Sequence, residues 1–311
     1  MRSLVISGGG AKGSFAGGVV QFLKESGCDW DFYAGTSTGS LIIPLVACHK
    51  IDILKEAYTN IKPEDVFKIN PFKIIKKRNG NIKFGINHFK IAFNFIFNHS
   101  KTLGDSSNLR KTVCKFLSEE DFINIKKSDK EIIITVCNLT LETLEIKSIK
   151  DETYEDFCDW MCASSSAAPF MSVVSKNKYD YIDGGMLRFI PLLEAIEMGS
   201  TEIDAVVLME DQDTGTPERV NNVLQLLTKL VRIFLGSRKR HDVDIQMLAK
   251  NIDDDREVKL RLYFLPNPLT NNPYVFDRET MTKWWLLGYD HANNQNFSEY
   301  ILTKRKVRKL K

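Results

Sequence analysis

The chain has 311 residues, 43% of them hydrophobic and 27% charged, with a formal net charge of +3. This composition supplies a sizeable core and excludes a mainly disordered chain. So small a net charge gives no ground for nucleic-acid binding, and no stretch approaches the roughly 20 apolar residues of a membrane span. Leu4-Val5-Ile6 is a short apolar run ahead of glycines and reads as a buried strand. It leaves no room for a signal-peptide core, so a cytoplasmic location is expected, with peripheral membrane contact allowed. From Ser14 to Glu25 the period becomes helical, with Phe15, Val19, Phe22 and Leu23 on one face and Gly27 as the stop. Phe32-Tyr33-Ala34 predicts a second strand, and Leu41 to Cys48 a buried helix. Further strands are expected at Ile132–Val136, Ala205–Met209 and Val258–Leu265, and helices at Leu192–Met198 and Val223–Leu235. The alternation of strand and helix argues an α/β fold with a mostly parallel sheet.

No internal repeat or low-complexity linker divides the chain, so a single domain is expected over residues 1–303. Residues 62–101 are rich in Lys, Asn, Ile and Phe and offer no convincing strand; a lid or insertion is expected within 60–130. Residues 304–311, Lys-Arg-Lys-Val-Arg-Lys-Leu-Lys, read as a basic C-terminal tail. The six cysteines, at 28, 48, 114, 137, 158 and 162, form no CxxC pair and have no His cluster beside them. Free thiols are expected, with no metal site and no cofactor.

Gly8-Gly9-Gly10-Ala11-Lys12-Gly13 lies between a predicted strand and a predicted helix. Glycines there let backbone N–H groups converge, and the following helix adds the positive end of its dipole. Such a loop can hold a phosphate, stabilise an oxyanion, or simply make a tight turn. Gly8, Gly10 and Gly13 also fit the dinucleotide fingerprint, with Asp29 or Asp31 as its later acid. On this segment alone the alternatives stay open.

Gly35-Thr36-Ser37-Thr38-Gly39 fits GxSxG with a strand before and a helix after. The nucleophile of such an elbow sits on a strained turn, where side chains two positions either way would collide. A serine hydroxyl needs a base. None of the five histidines, at 49, 88, 99, 241 and 291, lies in a suitable turn. Asp183-Gly184-Gly185 follows a plausible strand end at Tyr179–Ile182, and its carboxylate could accept the serine proton directly.

In this order the pieces resemble the patatin-like phospholipase family: a glycine-rich loop at Gly8–Gly13, GxSxG at Gly35–Gly39, and Asp-Gly-Gly at Asp183–Gly185. The small-residue and proline block Ala163-Ser164-Ser165-Ser166-Ala167-Ala168-Pro169-Phe170 is similar as well. The resemblance implies a three-layer α/β sandwich with helices on both faces of the sheet. It implies a dyad of Ser37 as nucleophile and Asp183 as base, with an oxyanion hole from Gly8, Gly9, Gly10 and Ala11. Lys12, Gly13, Gly35, Gly39, Gly184 and Gly185 then support the motifs. It also implies metal-independent hydrolysis of acyl esters in phospholipids or lysophospholipids. A catalytically vestigial binding or storage protein on the same scaffold is the alternative. Two positions depart from the family pattern, Ser7 where Asp is frequent and Phe189 where Asn is frequent, and both are expected to weaken the shell around the site.

The segment 72–99 mixes Phe72, Phe84, Phe89, Phe93, Phe95 and Phe97 with Lys73, Lys76, Lys77, Arg78, Lys83 and Lys90. An interfacial segment needs this mixture, so contact with an anionic membrane surface is expected there. Deleting the basic tail is likewise expected to weaken binding to anionic liposomes.

Overall fold

The structure is a computed structural model and describes residues 1–76, 82–98, 100–210, 241–269, 274 and 276–311. Its frame is a ten-stranded sheet. Strands β1 (Arg2–Ile6), β2 (Phe32–Thr36) and β5 (Glu131–Asn138) lie to one side of the centre. Strands β9 (Glu202–Glu210) and β10 (Val258–Leu265) lie to the other. The run β10-β9-β1-β2-β5 is parallel throughout. Antiparallel pairs close both flanks. On one flank, β6 (Thr143–Ser148) and β8 (Tyr179–Asp183) pair with β5, and β7 (Val174–Lys176) pairs with β8. On the other, β11 (Ser298–Thr303) and β12 (Lys306–Lys309) extend from β10.

Strand alternation builds two cores, one on each face. Leu4, Ile6, Tyr33, Ile132, Ile134, Val206 and Leu208 face one layer. Helices α1 (Gly13–Glu25), α2 (Thr38–Ala47) and α8 (Tyr154–Ser164) pack there. Val5, Phe32, Ala34, Ile133, Ile203, Ala205 and Val207 face the other, against α9 (Leu192–Glu197) and the short helix Ile245–Ala249. The result is the three-layer α/β sandwich that the sequence pattern and the resemblance lead one to expect. The long helix Arg278–Asn293 crosses α1 backbone to backbone. A Cβ at Gly18 would lie 1.9 Å from the Trp285 carbonyl oxygen, and one at Gly288 would lie 2.0 Å from that of Phe15.

Two readings of the sequence change. The residues expected as a basic tail form β12, with Leu302 paired to Val307 and Thr303 to Lys306. Alternating lysines and arginines are what a solvent-facing edge strand carries, so an edge hairpin and a tail look alike in sequence. Residues 62–101, which offered no convincing strand, contain the hairpin β3 (Phe72–Lys76) and β4 (Ile82–Ile86), followed by helix α5 (His88–Asn98).

That excursion is closed at its base. Lys68 and Ile69 donate backbone N–H groups to the Asp105 carbonyl at 2.8 and 3.1 Å, and Asp105 donates back to Ile69 at 2.9 Å. Beyond it, α6 (Asn108–Phe116) and α7 (Glu119–Lys127) put Leu109, Val113, Phe122 and Ile125 into the main core. Much of the 60–130 region expected as a lid or insertion is thus packed into the main core, and Phe72 packs against it. The helix expected at Val223–Leu235, together with Arg78 and His99, lies outside the described residues. Among the described residues no helix is long and apolar enough to cross a membrane. All six cysteines are free thiols.

Candidate active site

Register brings the serine and the aspartate together. Thr36 of β2 pairs with Thr135 of β5, and the next residue of β5, Val136, pairs with Asp183 of β8. β6 fills the other edge of β5 over the same residues, so β8 meets β5 on the edge that β2 leaves, and Ser37, one residue beyond Thr36, stands directly beside Asp183. The Ser37 hydroxyl donates to Asp183 Oδ2 at 2.6 Å.

Ser37 occupies the turn from β2 into α2 with φ 54° and ψ −123°, a left-handed conformation that costs a non-glycine residue about 1–3 kcal/mol. Close packing holds it there. A Cβ at Gly39 would lie 2.2 Å from the Ile6 carbonyl oxygen, and one at Gly35 would lie 2.6 Å from the Gly39 carbonyl carbon. Both ends of the pentapeptide must be glycine for the elbow to form. The N-terminus of α2 then points its dipole at the serine.

The Ala163–Phe170 block acquires a role that its sequence signalled without specifying. Ser164 Oγ accepts the Ser37 N–H at 2.9 Å, and Ser165 Oγ donates to the Ser37 carbonyl at 3.1 Å. The Ser166 carbonyl accepts the Asp183 N–H at 2.9 Å. The C-terminal end of α8 thus grips both members of the pair.

Asp183 is 7% exposed and Ser37 8%. Burial pushes the Asp183 carboxyl up to about 6, opposed by hydrogen bonds from Ser37 and from the Gly185 N–H, the latter at 2.7 Å on Oδ1. Gly184 packs on the Thr135 backbone, which sets the turn that frees the Gly185 N–H. Among the described residues no histidine contacts either group; His291 packs instead on the Phe15 ring, 5.4 Å between centroids.

The glycine loop requires a correction. The Gly8 N–H is spent on the Phe189 carbonyl at 2.9 Å, so it is not free to meet an oxyanion. The N–H groups of Gly9, Gly10 and Ala11 have no acceptor among the described residues. Gly8 instead sets proximity: a Cβ there would lie 3.3 Å from Ser37 Cβ. Lys12 is committed as well. Its ammonium donates to the Leu208 carbonyl at 2.9 Å, and burial lowers its pKa against the opposing pull of Glu210. Gly13 packs against the hydroxyls of Thr38 and Tyr58, which bond to each other.

Ser7 and Phe189, expected to weaken the shell, build it differently. The Ser7 hydroxyl donates to the Gly8 carbonyl at 3.1 Å and accepts the Leu208 N–H at 2.8 Å. Phe189 donates its backbone N–H to Asp242 Oδ2 at 2.5 Å, while its ring packs on Gly8. Asp242 is buried and also faces Arg188 at 3.4 Å. Sequence reasoning missed Asp242, because a lone acid 59 positions after Asp183 carries no local pattern.

The dinucleotide alternative loses its acid. Asp31 donates its N–H to the Arg2 carbonyl, and Asp29 is tied to Lys24 and Trp30. Both stand at the N-terminal end of β2, whereas a ribose-binding acid belongs at the carboxyl end.

The sequence profile of the patatin-like phospholipases matches residues 4–196, a span that contains the glycine loop, Ser37 and Asp183. The chain belongs to the patatin-like phospholipase family. Membership points to lipid acyl hydrolysis as the broad activity. Among solved structures, VipD from Legionella pneumophila is similar at 13% identity and a TM-score of 0.40, over 96% of this chain and 67% of that one. No curated protein matches the chain.

Proposed function

We propose that this patatin-like chain is a serine hydrolase that cleaves carboxylic ester bonds of phospholipids or lysophospholipids. The observation that carries the reading is the 2.6 Å hydrogen bond from Ser37 Oγ to a buried Asp183 carboxylate. A carboxyl with a pKa of about 6 is ionised at neutral pH, yet basic enough to take a proton in the transition state.

In this reading Ser37 Oγ attacks the ester carbonyl carbon while its proton passes to Asp183. The oxyanion that forms accepts hydrogen bonds from Gly9 and Gly10, with Ala11 beside them. Donors fixed before the reaction cost no reorganisation when charge develops, and removing one such donor typically costs about 10²–10³ in kcat. The C–O bond then breaks, and the leaving alcohol takes the proton from Asp183. Water attacks the resulting acyl-enzyme, Asp183 accepts its proton, and that proton returns to Ser37 Oγ as the fatty acid leaves. No step calls for a metal ion.

The test is mass-spectrometric detection of free fatty acid from phosphatidylcholine and lysophosphatidylcholine. Wild type is expected to release it, and Ser37→Ala and Asp183→Asn to lose at least about 10³-fold in kcat/KM. Equal release by wild type and Ser37→Ala would contradict the reading.

A further inference from the structure

Helix α5 is built inside out. Its buried residue is polar: Asn94, at 1% exposure, donates from Nδ2 to the Thr102 carbonyl at 3.0 Å and accepts from Asn98 at 3.0 Å. Its large apolar side chains face away from the protein. Phe89 is 81% exposed, Phe97 67% and Ile96 65%, with Phe93 at 45%. These four positions, i, i+4, i+7 and i+8, lie on one face of a helix. Phe93 and Phe97 pack on each other, 4.8 Å between centroids, and both stay exposed. A helix stabilised by the core of its own domain would turn the phenylalanines in and the asparagines out.

Charge says what covers this face. Residues 66–104 carry eight Lys or Arg and no Asp or Glu, a local charge of +8 in a chain whose total is +3. Lys73, Lys90 and Lys101 are exposed. An apolar face within a segment of purely cationic charge fits acyl chains beneath anionic headgroups. A second copy docked on the same face would set two +8 segments against each other, and a nucleic acid would leave the phenylalanines in water. Eleven residues make a helix about 16 Å long, too short to span a bilayer of about 30 Å, so it would lie in the interface plane.

The excursion is also anchored beside the site. Leu103 donates its N–H to the Pro169 carbonyl at 2.8 Å, and the Ser106 N–H reaches Ser172 Oγ at 2.9 Å. Residues 169–172 lie three to six positions after Ser166, the last of the serines that grip Ser37 and Asp183.

We propose that α5 is an interfacial anchor that inserts Phe89, Phe93, Ile96 and Phe97 into an anionic phospholipid surface and delivers lipid to Ser37. The proposal deepens the lipid-hydrolase reading and rests on it for the choice of partner. The test is co-sedimentation of the full chain, carried as Ser37→Ala to spare the lipid, with vesicles of phosphatidylcholine alone or mixed with phosphatidylserine. Binding is expected to favour the anionic vesicles about tenfold or more and to weaken as salt rises. Phe93→Ser/Phe97→Ser is expected to lower partitioning about tenfold or more with an unchanged melting temperature, since both rings are exposed. A Phe93→Trp variant should be quenched by brominated acyl chains. Undiminished binding of the double variant, no binding of the parent chain to anionic vesicles, or a dimer that the double variant dissolves would each overturn the proposal. Hydrolysis of a soluble short-chain nitrophenyl ester by the chain with Ser37 intact keeps the two readings apart. The double variant should retain it while losing turnover of vesicle phospholipid. Absence of that hydrolysis in wild type, with vesicle binding intact, would count against the hydrolase reading and leave the anchor standing.

Discussion

At the scale of single residues, chemistry concentrates on one buried carboxyl. Asp183 has a pKa of about 6 in the folded chain against an ordinary 3.8, because burial penalises its charge. Two consequences follow, with opposite signs for function and stability. The proposed mechanism needs the carboxylate, so kcat/KM is expected to fall as pH drops through about 6, and a pH–rate profile reads this directly. For stability, the folded chain holds the proton more tightly than the unfolded one. The group therefore costs nothing below about pH 4, destabilises progressively from about 4 to 6, and keeps its full cost above. Asp183→Asn is expected to be more stable than wild type at pH 8, by up to about 3 kcal/mol, and nearly equal at pH 4. Urea denaturation at the two pH values measures the difference. The two partners of the Ser37–Asp183 hydrogen bond were legible in sequence because GxSxG and Asp-Gly-Gly are local patterns. The Gly8 N–H was not, since only the folded chain reveals that the Phe189 carbonyl already occupies it. Asp242 stayed hidden for the same reason. Asp242→Ala would remove the buried carboxylate that accepts the Phe189 N–H and faces Arg188, which keeps its pairing with Glu194 at 2.9 Å. It is expected to lower stability by about 2–4 kcal/mol and, through Phe189 and Gly8, to reduce kcat at least tenfold, seen by denaturation and steady-state kinetics.

At the scale of elements, the elbow is held by backbone contact. With a Cβ only 2.2 Å from the Ile6 carbonyl, Gly39→Ala forces β1 and α2 apart. A loss of about 3 kcal/mol or more is expected, with activity falling even in the soluble fraction, measured by thermal melting and initial rates. The buried parallel strands were readable because runs such as Leu4-Val5-Ile6 and Ile132–Val136 are apolar on both faces. Strand β10 was predicted with its observed ends, Val258 and Leu265. The short flanking strands were not readable. β12 reads Lys-Val-Arg-Lys and β7 reads Val-Ser-Lys, so neither has an apolar repeat long enough to separate from a loop. They become strands because β11 and β8 offer an unpaired edge. Helix α5 illustrates the opposite case: its phenylalanine pattern was visible, but which face turned outward depended on Asn94 finding the Thr102 carbonyl.

At the scale of the whole molecule, the parallel order β10-β9-β1-β2-β5 reverses direction around β1. The chain runs outward through β2 and β5, then returns to the other side of β1 through β9. The reversal falls between β9 and β1, while α1 and α2, which follow β1 and β2, pack on one face of the sheet. The glycine loop follows β1, Ser37 follows β2, and Leu208 near the end of β9 fixes both Lys12 and Ser7. Asp183 enters from the antiparallel flank at the level of Val136. This geometry brings motifs from Gly8 to Gly185 together at one place. The central claim is that Ser37 is a nucleophile activated by Asp183. Fluorophosphonate labelling of the full chain, mapped by peptide mass spectrometry, tests it most directly. A single adduct on Ser37 is predicted, slower below about pH 6 and lost in Asp183→Asn. An unlabelled folded wild type, or an adduct that survives in Ser37→Ala, would contradict the account.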